Sequence, residues 1–445
     1  MTDATATSHA MERQLTTALH GHVLTNIGAW SSDGQWIVYD LRSDPEGATF
    51  DGSRIERVHV ETGEVQILHQ SQNGAKCGVA TCSPVDDKVV FIQGPEHPTP
   101  EWSYAANRRQ GVIVDGTGAT NLDARDLTPP FTPGALRGGT HLHVFSGDGQ
   151  WVRFTYEDHI LEGFSRPTAD HDINQRNVGV SAPYGRVVVP KNHPRNHDGE
   201  YFSVLVTRTV AEPEPGSDEI KKAFEEAWVG TNGYLKAGGE RQKRAIAFQG
   251  LVVTPRGETL SEAFIVDLPE NPTLAAHGPL EGTATRMPHA PRGVAQRRLT
   301  FTAERKYPGL QGPRHWLSSS PDGSWIALLM RDDAGIVQLW TVSPQGAPLA
   351  QVTRNPWSIA SAFSWSPDGK WIAHAMDNSV FVTEMSTGKS IRLTPRVADD
   401  LAPRPEACVF SPDGSRVAYV RNVLVGNQRW NQIFVVCHPE VLRRI

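Results

Sequence analysis

SPDGKWIAH, residues 366–374, decides the fold because the chain repeats it. SPDGSWIAL begins at Ser320, SPDGSRVAY at Ser411, SGDGQWVRF at Ser146, SSDGQWIVY at Ser31 and a looser SPVDDKVVF at Ser83. Asp-Gly supplies the positive φ of a tight hairpin turn, and the residues on either side alternate with the period of a strand. Each unit is therefore two antiparallel strands, and repetition at this scale is the mark of a repeat architecture.

Working outward, a third strand follows as RIERVHV (54–60), IVQLWTV (336–342), SVFVTEM (379–385) and QIFVVCH (432–438). A short segment ending in Leu-Thr or Val-Thr then closes most units: ARDLT (124–128), QRRLT (296–300), AQVT (350–353) and IRLT (391–394). Four strands per unit is a propeller blade. The last unit lacks a fourth strand, while MERQLT (11–16) is a fourth strand with no unit before it. The N-terminus is thus expected to close the ring as the outer strand of the last blade, leaving no open edge, with residues 1–10 as a disordered tail.

The interval from Ser146 to Ser320 holds the rest of blade 3 and one decorated blade. HDGEYFSVLVTRT (197–209) reads as the turn and second strand of blade 4, and EAFIVDLP (262–269) as its third. Between them, 209–261 reads as an insertion whose SDEIKKAFEEAWVG (217–230) predicts a helix with Ser217 as N-cap. The expected architecture is an all-β, seven-bladed β-propeller, a single domain over 1–445.

Composition agrees: 40 Gly, 32 Pro and 12 Trp in 445 residues suit a turn-rich β protein. A net charge of −6 without a basic block speaks against nucleic acid or an anionic membrane as partner. The four cysteines form no disulfide framework, the N-terminus reads as no secretory signal, and no apolar run is long enough to span a bilayer. The expected location is the cytoplasm, and the expected partner a small-molecule or oligosaccharide ligand, or a protein.

Loop lengths select a working face. The turns inside the SPDG hairpins are minimal, whereas 94–110, 157–176, 128–139 and 301–314 are long and rise on the opposite face, where a rigid scaffold carries function. The long stretch 270–294 is an exception, expected on the hairpin face. Counting back five residues from each turn serine gives the first ring of the channel: Asn26, Gly78, His141, His315, Ser361 and Glu406, with Lys191 standing in for blade 4. Three back gives Gly28, Ala80, His143, Leu317, Phe363 and Cys408, with His193 for blade 4.

His141 and His143, two apart on one strand, share a face. With His315 they could hold one divalent ion, manganese or zinc, or they could line a water-filled channel. A metal there would polarise a carboxylate and acidify the adjacent C–H. His97, Trp102, Tyr104, Arg108, Arg109, Arg314 and Glu406 could clasp an anionic or sugar ligand by forked hydrogen bonds and stacking, or pair with their neighbours. Asp158 and His159 could supply a general acid and base. The carboxylates of the repeated turns (Asp33, Asp148, Asp322, Asp368, Asp413) serve the turns, and STGKS (386–390) lacks the glycine spacing of a phosphate loop.

The SPDGxWIA hairpins preceded by a Leu-Thr strand resemble the TolB-like propeller repeat. HVLTNIGAW, LRGGTHLHVFS, NVGVSAP, PGSDEIKKAFEEAWVG, PRGVAQRRLTF, YPGLQGPRHW and MRDDAGIVQLW resemble the YidR family of bacterial cytoplasmic propellers of unassigned activity, from about residue 20 to the C-terminus. A more distant similarity is to oligogalacturonate lyases, seven-bladed enzymes whose manganese is held by three histidines and a glutamine. That resemblance implies His141, His143 and His315 as imidazole ligands, Gln311 as the amide, and a metal-assisted lyase acting on an acidic oligosaccharide. The alternative is a non-catalytic protein-interaction scaffold, since a propeller fold does not itself specify a reaction.

Overall fold

The computed structural model describes residues 12–438 apart from His315 and Ala347. Seven four-stranded antiparallel sheets are arranged as the blades of a propeller. Their inner strands are Gly21–Val23, Cys77–Cys82, Gly138–Phe145, Ala223–Trp228, Ser318–Ser319, Ser364–Trp365 and Pro403–Phe410. Glu12–Gln14 pairs with Phe434–Val436 and makes the outer strand of blade 7, so the first described residues lock onto the last. Two short 3-10 turns, Ala106–Arg108 and Asp399–Leu401, are the helical elements among the described residues. None is long and apolar enough to cross a membrane.

The repeated motif builds its turn with side chains as well as glycine. In blade 6 Ser366 Oγ donates to Asp368 Oδ1 (2.6 Å) and accepts the Trp371 N–H (3.0 Å), while Asp368 also receives the Lys370 N–H (3.1 Å). The same three bonds recur around Ser31, Ser146, Ser320 and Ser411. These carboxylates are thereby engaged, as the sequence suggests. A tryptophan at the end of the inner strand contributes a second device in three blades. Trp30, Trp228 and Trp365 each donate an indole N–H to a carbonyl of the preceding blade, at Val409 (3.0 Å), Val144 (2.9 Å) and Ser318 (3.1 Å). Blades are otherwise glued by apolar faces, as where Leu24, Trp30, Ile37 and Tyr39 of blade 1 pack on Val409, Val420 and Ile433 of blade 7.

Blade 4 departs from expectation. Phe202–Leu205 is the outer strand of blade 3, not a strand of blade 4. The segment expected to be helical contains Ala223–Trp228, the innermost strand of blade 4, and 245–253 and 259–267 are its next two strands, so 209–261 is no insertion. The reason is a β-bulge between Phe224 and Ala227, with Glu225 at φ +53°. It sends Ile220 and Ala223 into the contact with blade 3 and Ala227 and Val229 into the opposite contact. Apolar positions that imitate one helical stripe therefore belong to the two faces of a sheet. Ser217 makes a local turn, accepting the Glu219 N–H at 3.1 Å. In blade 2 the outer strand is Gly118–Asn121, ahead of the ARDLT segment.

The 270–294 stretch, expected on the hairpin face, reaches back to the working face. Asp172, in the long loop of blade 3, donates its N–H to the Thr285 carbonyl (2.9 Å) and pairs with Arg286 (3.0 Å). Arg137 reaches the carbonyls of Thr283 and Arg286.

Several histidines are sealed in this scaffold. His22, His143 and His374 are at most 1% exposed, and burial lowers them to about 3, about 3 and about 4. Each folded value lies below the unfolded value near 6.5, so acid protonates the unfolded chain first. The stability they contribute is present above about pH 6.5 and is lost as pH falls toward 4, by up to about 1.4 kcal/mol per group per pH unit. Thermal unfolding monitored from pH 8 to pH 4 is expected to show a plateau and then a steep fall beginning near pH 6.5. A midpoint that stays level to pH 4.5 would contradict this.

Candidate functional site

Inner strands begin at the working face, and those of blades 2, 3 and 4 bear the same irregularity. Register shifts fall between Gly78 and Thr81, between His141 and Val144, and between Phe224 and Ala227. The bulged residues Val79, Leu142 and Glu225 have φ of +58°, +54° and +53°. Bulges re-aim side chains, and here the consequence falls on the histidine pair. His141 lines a cavity of about 260 Å³ at the channel end. His143, two residues on, is turned into the body of the blade, fully buried, with its ring 6.0 Å from Phe154 and Nε2 4.0 Å from Asp123 Oδ1. A Cβ on Gly111 would stand 2.7 Å from that nitrogen, so the glycine makes room for the ring.

His141 and His143 therefore do not share a face as expected, and His315, the third expected ligand, lies outside the described residues. Among the described residues no group of three or more His, Cys, Asp or Glu side chains could hold a metal ion. Gln311 donates its amide to the Pro308 carbonyl at 2.8 Å.

The cavity is walled by blades 1, 2, 3, 5 and 7, and brings together Asp40, Arg42, Tyr104, His141, Arg314 and Glu406. Four of these, Tyr104, His141, Arg314 and Glu406, are expected site residues. Arg314 pairs with Glu406 at 3.0 Å. Arg42 pairs with Asp40 at 2.7 Å, both nearly sealed from solvent, and its guanidinium lies 4.7 Å over the Phe50 ring. Its Nε and Nη1 are buried without a hydrogen-bond partner. Phe50 in turn stacks on Tyr104 at 4.6 Å. Gly78 permits this packing, since a Cβ there would lie 2.6 Å from Asp40 Oδ2 and 2.9 Å from Phe50.

The field is strongly cationic. Burial, reinforced by Arg109, Arg176, His143 and Arg42, holds His141 neutral, well below the usual imidazole range. Glu225, at the register position that Val79 and Leu142 use to line the cavity, is raised to about 7 by burial and by Glu226, against the opposing charges of Arg176, Arg314 and Lys222. Burial also raises Asp40, with Arg42 opposing.

The other expected residues lie elsewhere. Arg109, also buried, donates Nε to the Ala106 carbonyl (3.2 Å) and lies beside Tyr104. Trp102, Arg108 and His159 form a separate rim cluster: the rings of Trp102 and His159 meet edge-on at 4.6 Å, and Arg108 stands 5.2 Å over the indole. His159 Nδ1 is 3.1 Å from the Asn107 amide. His97 is exposed outside this cluster, its carbonyl accepting from Arg195 at 3.0 Å. Asp158 is fully buried and engaged: one oxygen accepts from Arg137 (2.8 Å) and Tyr156 (3.0 Å), the other from the Leu161 N–H (2.9 Å). It has no face toward a ligand. Lys191 pairs with Asp198 and His193 sits near Trp102, so neither stands for blade 4 in the channel, where the register puts Phe224 and Glu226.

Asp40, Arg42, Arg176 and Glu225 are absent from the expected set. Asp40 and Arg42 had a signal, two charges at the end of the otherwise apolar strand WIVYDLR. Glu225 was hidden by the helical reading of its segment.

Residues 76–197 match a family described as "Protein of unknown function (DUF3748)". The chain is 46% identical over 422 residues to a protein of Escherichia coli (strain K12) described as "Uncharacterized protein YidR", covering 94% of this chain and 96% of that one. Among solved structures it is similar to an oligogalacturonate lyase in complex with manganese, with a TM-score of 0.57 and 12% identity over 98% of this chain and 96% of the other. An oligogalacturonate lyase from Vibrio parahaemolyticus gives a TM-score of 0.52 and 10% identity over the same shares. At such identities the likeness is one of fold.

Proposed function

This chain belongs to the YidR family, and we propose that it binds a small acidic, sugar-like ligand in the cavity at the working end of its channel. The observation that carries this is Arg42. Arg42 lines the cavity, and the two buried nitrogens of its guanidinium that have no partner lack hydrogen bonds that a carboxylate entering beside them would provide. Arg314 offers a second cation, Trp316 offers an aromatic ring to a sugar, and neutral His141 offers a nitrogen to a hydroxyl. In the lyase form of this reading the proton on the carbon next to the ligand's carboxylate passes to His141 or Glu225, the arginines hold the developing charge, and the electron pair forms a C=C bond as the neighbouring C–O bond breaks and the departing sugar oxygen takes up a proton from solvent. No step is assigned to a metal, because His141 alone of the proposed imidazole ligands faces the cavity among the described residues.

The test is titration calorimetry of the full chain against galacturonic and glucuronic acids, their short oligomers and the matching neutral sugars, alongside elemental analysis for manganese and zinc. Acidic sugars are expected to bind and neutral ones not. Arg314→Ala, on an exposed side chain, is expected to weaken binding by roughly 10- to 100-fold, the value of a charge-assisted contact. Arg42→Met is expected to abolish binding. Affinity is expected to rise as pH falls through about 7, because Glu225 then loses the charge that repels the anion, while Arg176, Arg314, Lys222 and Glu226 remain around it. If no acidic sugar binds a folded protein, the reading fails and the scaffold alternative takes its place.

A further inference from the structure

We propose that the ligand carries an apolar, ring-sized substituent on its acidic sugar, and that this substituent occupies a second cavity lower in the same channel. The inference rests on the reading just given and extends it to the ligand's other end.

The second cavity, about 300 Å³, receives residues from all seven blades. Asn26 lines both cavities, so the two adjoin along the axis. Blade 3 shows the order: His141 and Leu142 line the upper cavity, Val144 and Phe145 the lower. At roughly 3.3 Å per strand residue the levels of His141 and Phe145 are about 13 Å apart. One ligand with an acidic head and a short apolar end spans that interval.

The lower wall has the opposite chemistry. Its collar is the end of the inner strands, which carries Phe145, Trp228, Trp365 and Phe410, with Cys82 in blade 2 and Ser319 in blade 5. The indole N–H groups of Trp228 and Trp365 are engaged by carbonyls of neighbouring blades, so these side chains turn only hydrocarbon faces to the cavity. The one charged group in this wall, Arg153, is bonded to Glu226 at 2.8 Å. A sugar ring finds few polar partners there, while an aromatic or aliphatic group finds faces to stack on and displaces water from them.

Methyl and phenyl glucuronides, which share the acidic head and differ in the apolar end, are the probes, titrated by calorimetry against the full chain. The phenyl compound is expected to bind at least about tenfold more tightly. Cys82→Phe, which fills the collar, is expected to remove that advantage and leave the methyl compound unaffected. Phe410→Leu, a mild change that keeps the fold if Cys82→Phe does not, is expected to reduce it. Equal affinities for the two probes in the parent protein overturn this inference and leave the acidic-sugar reading standing. Binding of the phenyl compound that is unchanged by Arg314→Ala overturns the acidic-sugar reading, and binding of neither probe overturns both.

Discussion

Arg137→Ala is expected to cost about 3–5 kcal/mol of stability, the usual effect of removing one partner from a buried ion pair. Arg137 is 1% exposed and serves three segments at once. Its Nε donates to Asp158, Nη1 to the Thr283 carbonyl and Nη2 to the Arg286 carbonyl at 2.6 Å, while its plane lies 5.0 Å over Phe131. It thereby fastens the start of blade 3's inner strand, the loop that follows that blade's second strand, and the long stretch returning from blade 4. Alanine would leave the Asp158 carboxylate buried with only the Tyr156 hydroxyl and the Leu161 N–H. Arg137→Lys is expected to rescue little, because an ammonium cannot serve three divergent acceptors as a planar fork does. Urea unfolding of the two variants and of the Arg137→Ala/Asp158→Asn double variant measures the coupling. A loss below about 1 kcal/mol, the range of an exposed pair, would show that the clamp contributes nothing special.

Glu226→Ala is expected to have an effect of the same size, about 3–5 kcal/mol, at the centre of the ring. Glu226 joins blade 4 to blade 3 by accepting from Arg153 and from the Thr155 hydroxyl, both at 2.8 Å. Arg153 is itself 1% exposed and its Nε has no partner, so loss of the carboxylate strands a guanidinium in the core. The paired replacement Arg153→Met with Glu226→Leu is expected to recover most of the stability, since apolar substitutes avoid the desolvation of both ions. Glu226→Gln separates charge from hydrogen bonding and carries a second readout. Removing the negative charge beside Glu225 takes away one of the two causes of its raised pKa, so the pH at which anion binding strengthens is expected to move below about 7. A pH profile that does not move would place the two carboxylates in separate environments.

Reading the sequence was sufficient where the signal is local. The Ser-x-Asp-Gly turn carries its own hydrogen bonds, and its recurrence marks the blades, with MERQLT completing the last sheet from the wrong end of the chain. Gly and Asp at those positions have no alternative use as good as the turn, so the reading of their role survived contact with the structure. The face that carries most of the long loops was also legible, because the SPDG hairpins are minimal, and His141 and Glu406, reached by counting along equivalent strands, line one cavity with the loop residue Arg314.

What the sequence could not supply depends on neighbours far along the chain. A bulge is one extra residue opposite a partner strand, and nothing in THLHVF or KAFEEAW by itself distinguishes a regular strand from a bulged one. That single residue parts His141 from His143, turns an apparent helix into the inner strand of blade 4, and puts Glu225 at the register of the channel wall. Burial likewise is a property of the closed ring. Asp158 reads as an exposed loop acid until Arg137 and the returning stretch of blade 4 close over it, and Arg42 reads as the polar end of a strand until five blades converge on it. The sequence by itself determined a seven-bladed ring and the face that carries most of its long loops. Only the tertiary structure decided which charges that face turns inward, because desolvation and partner supply are set by residues that meet across blades.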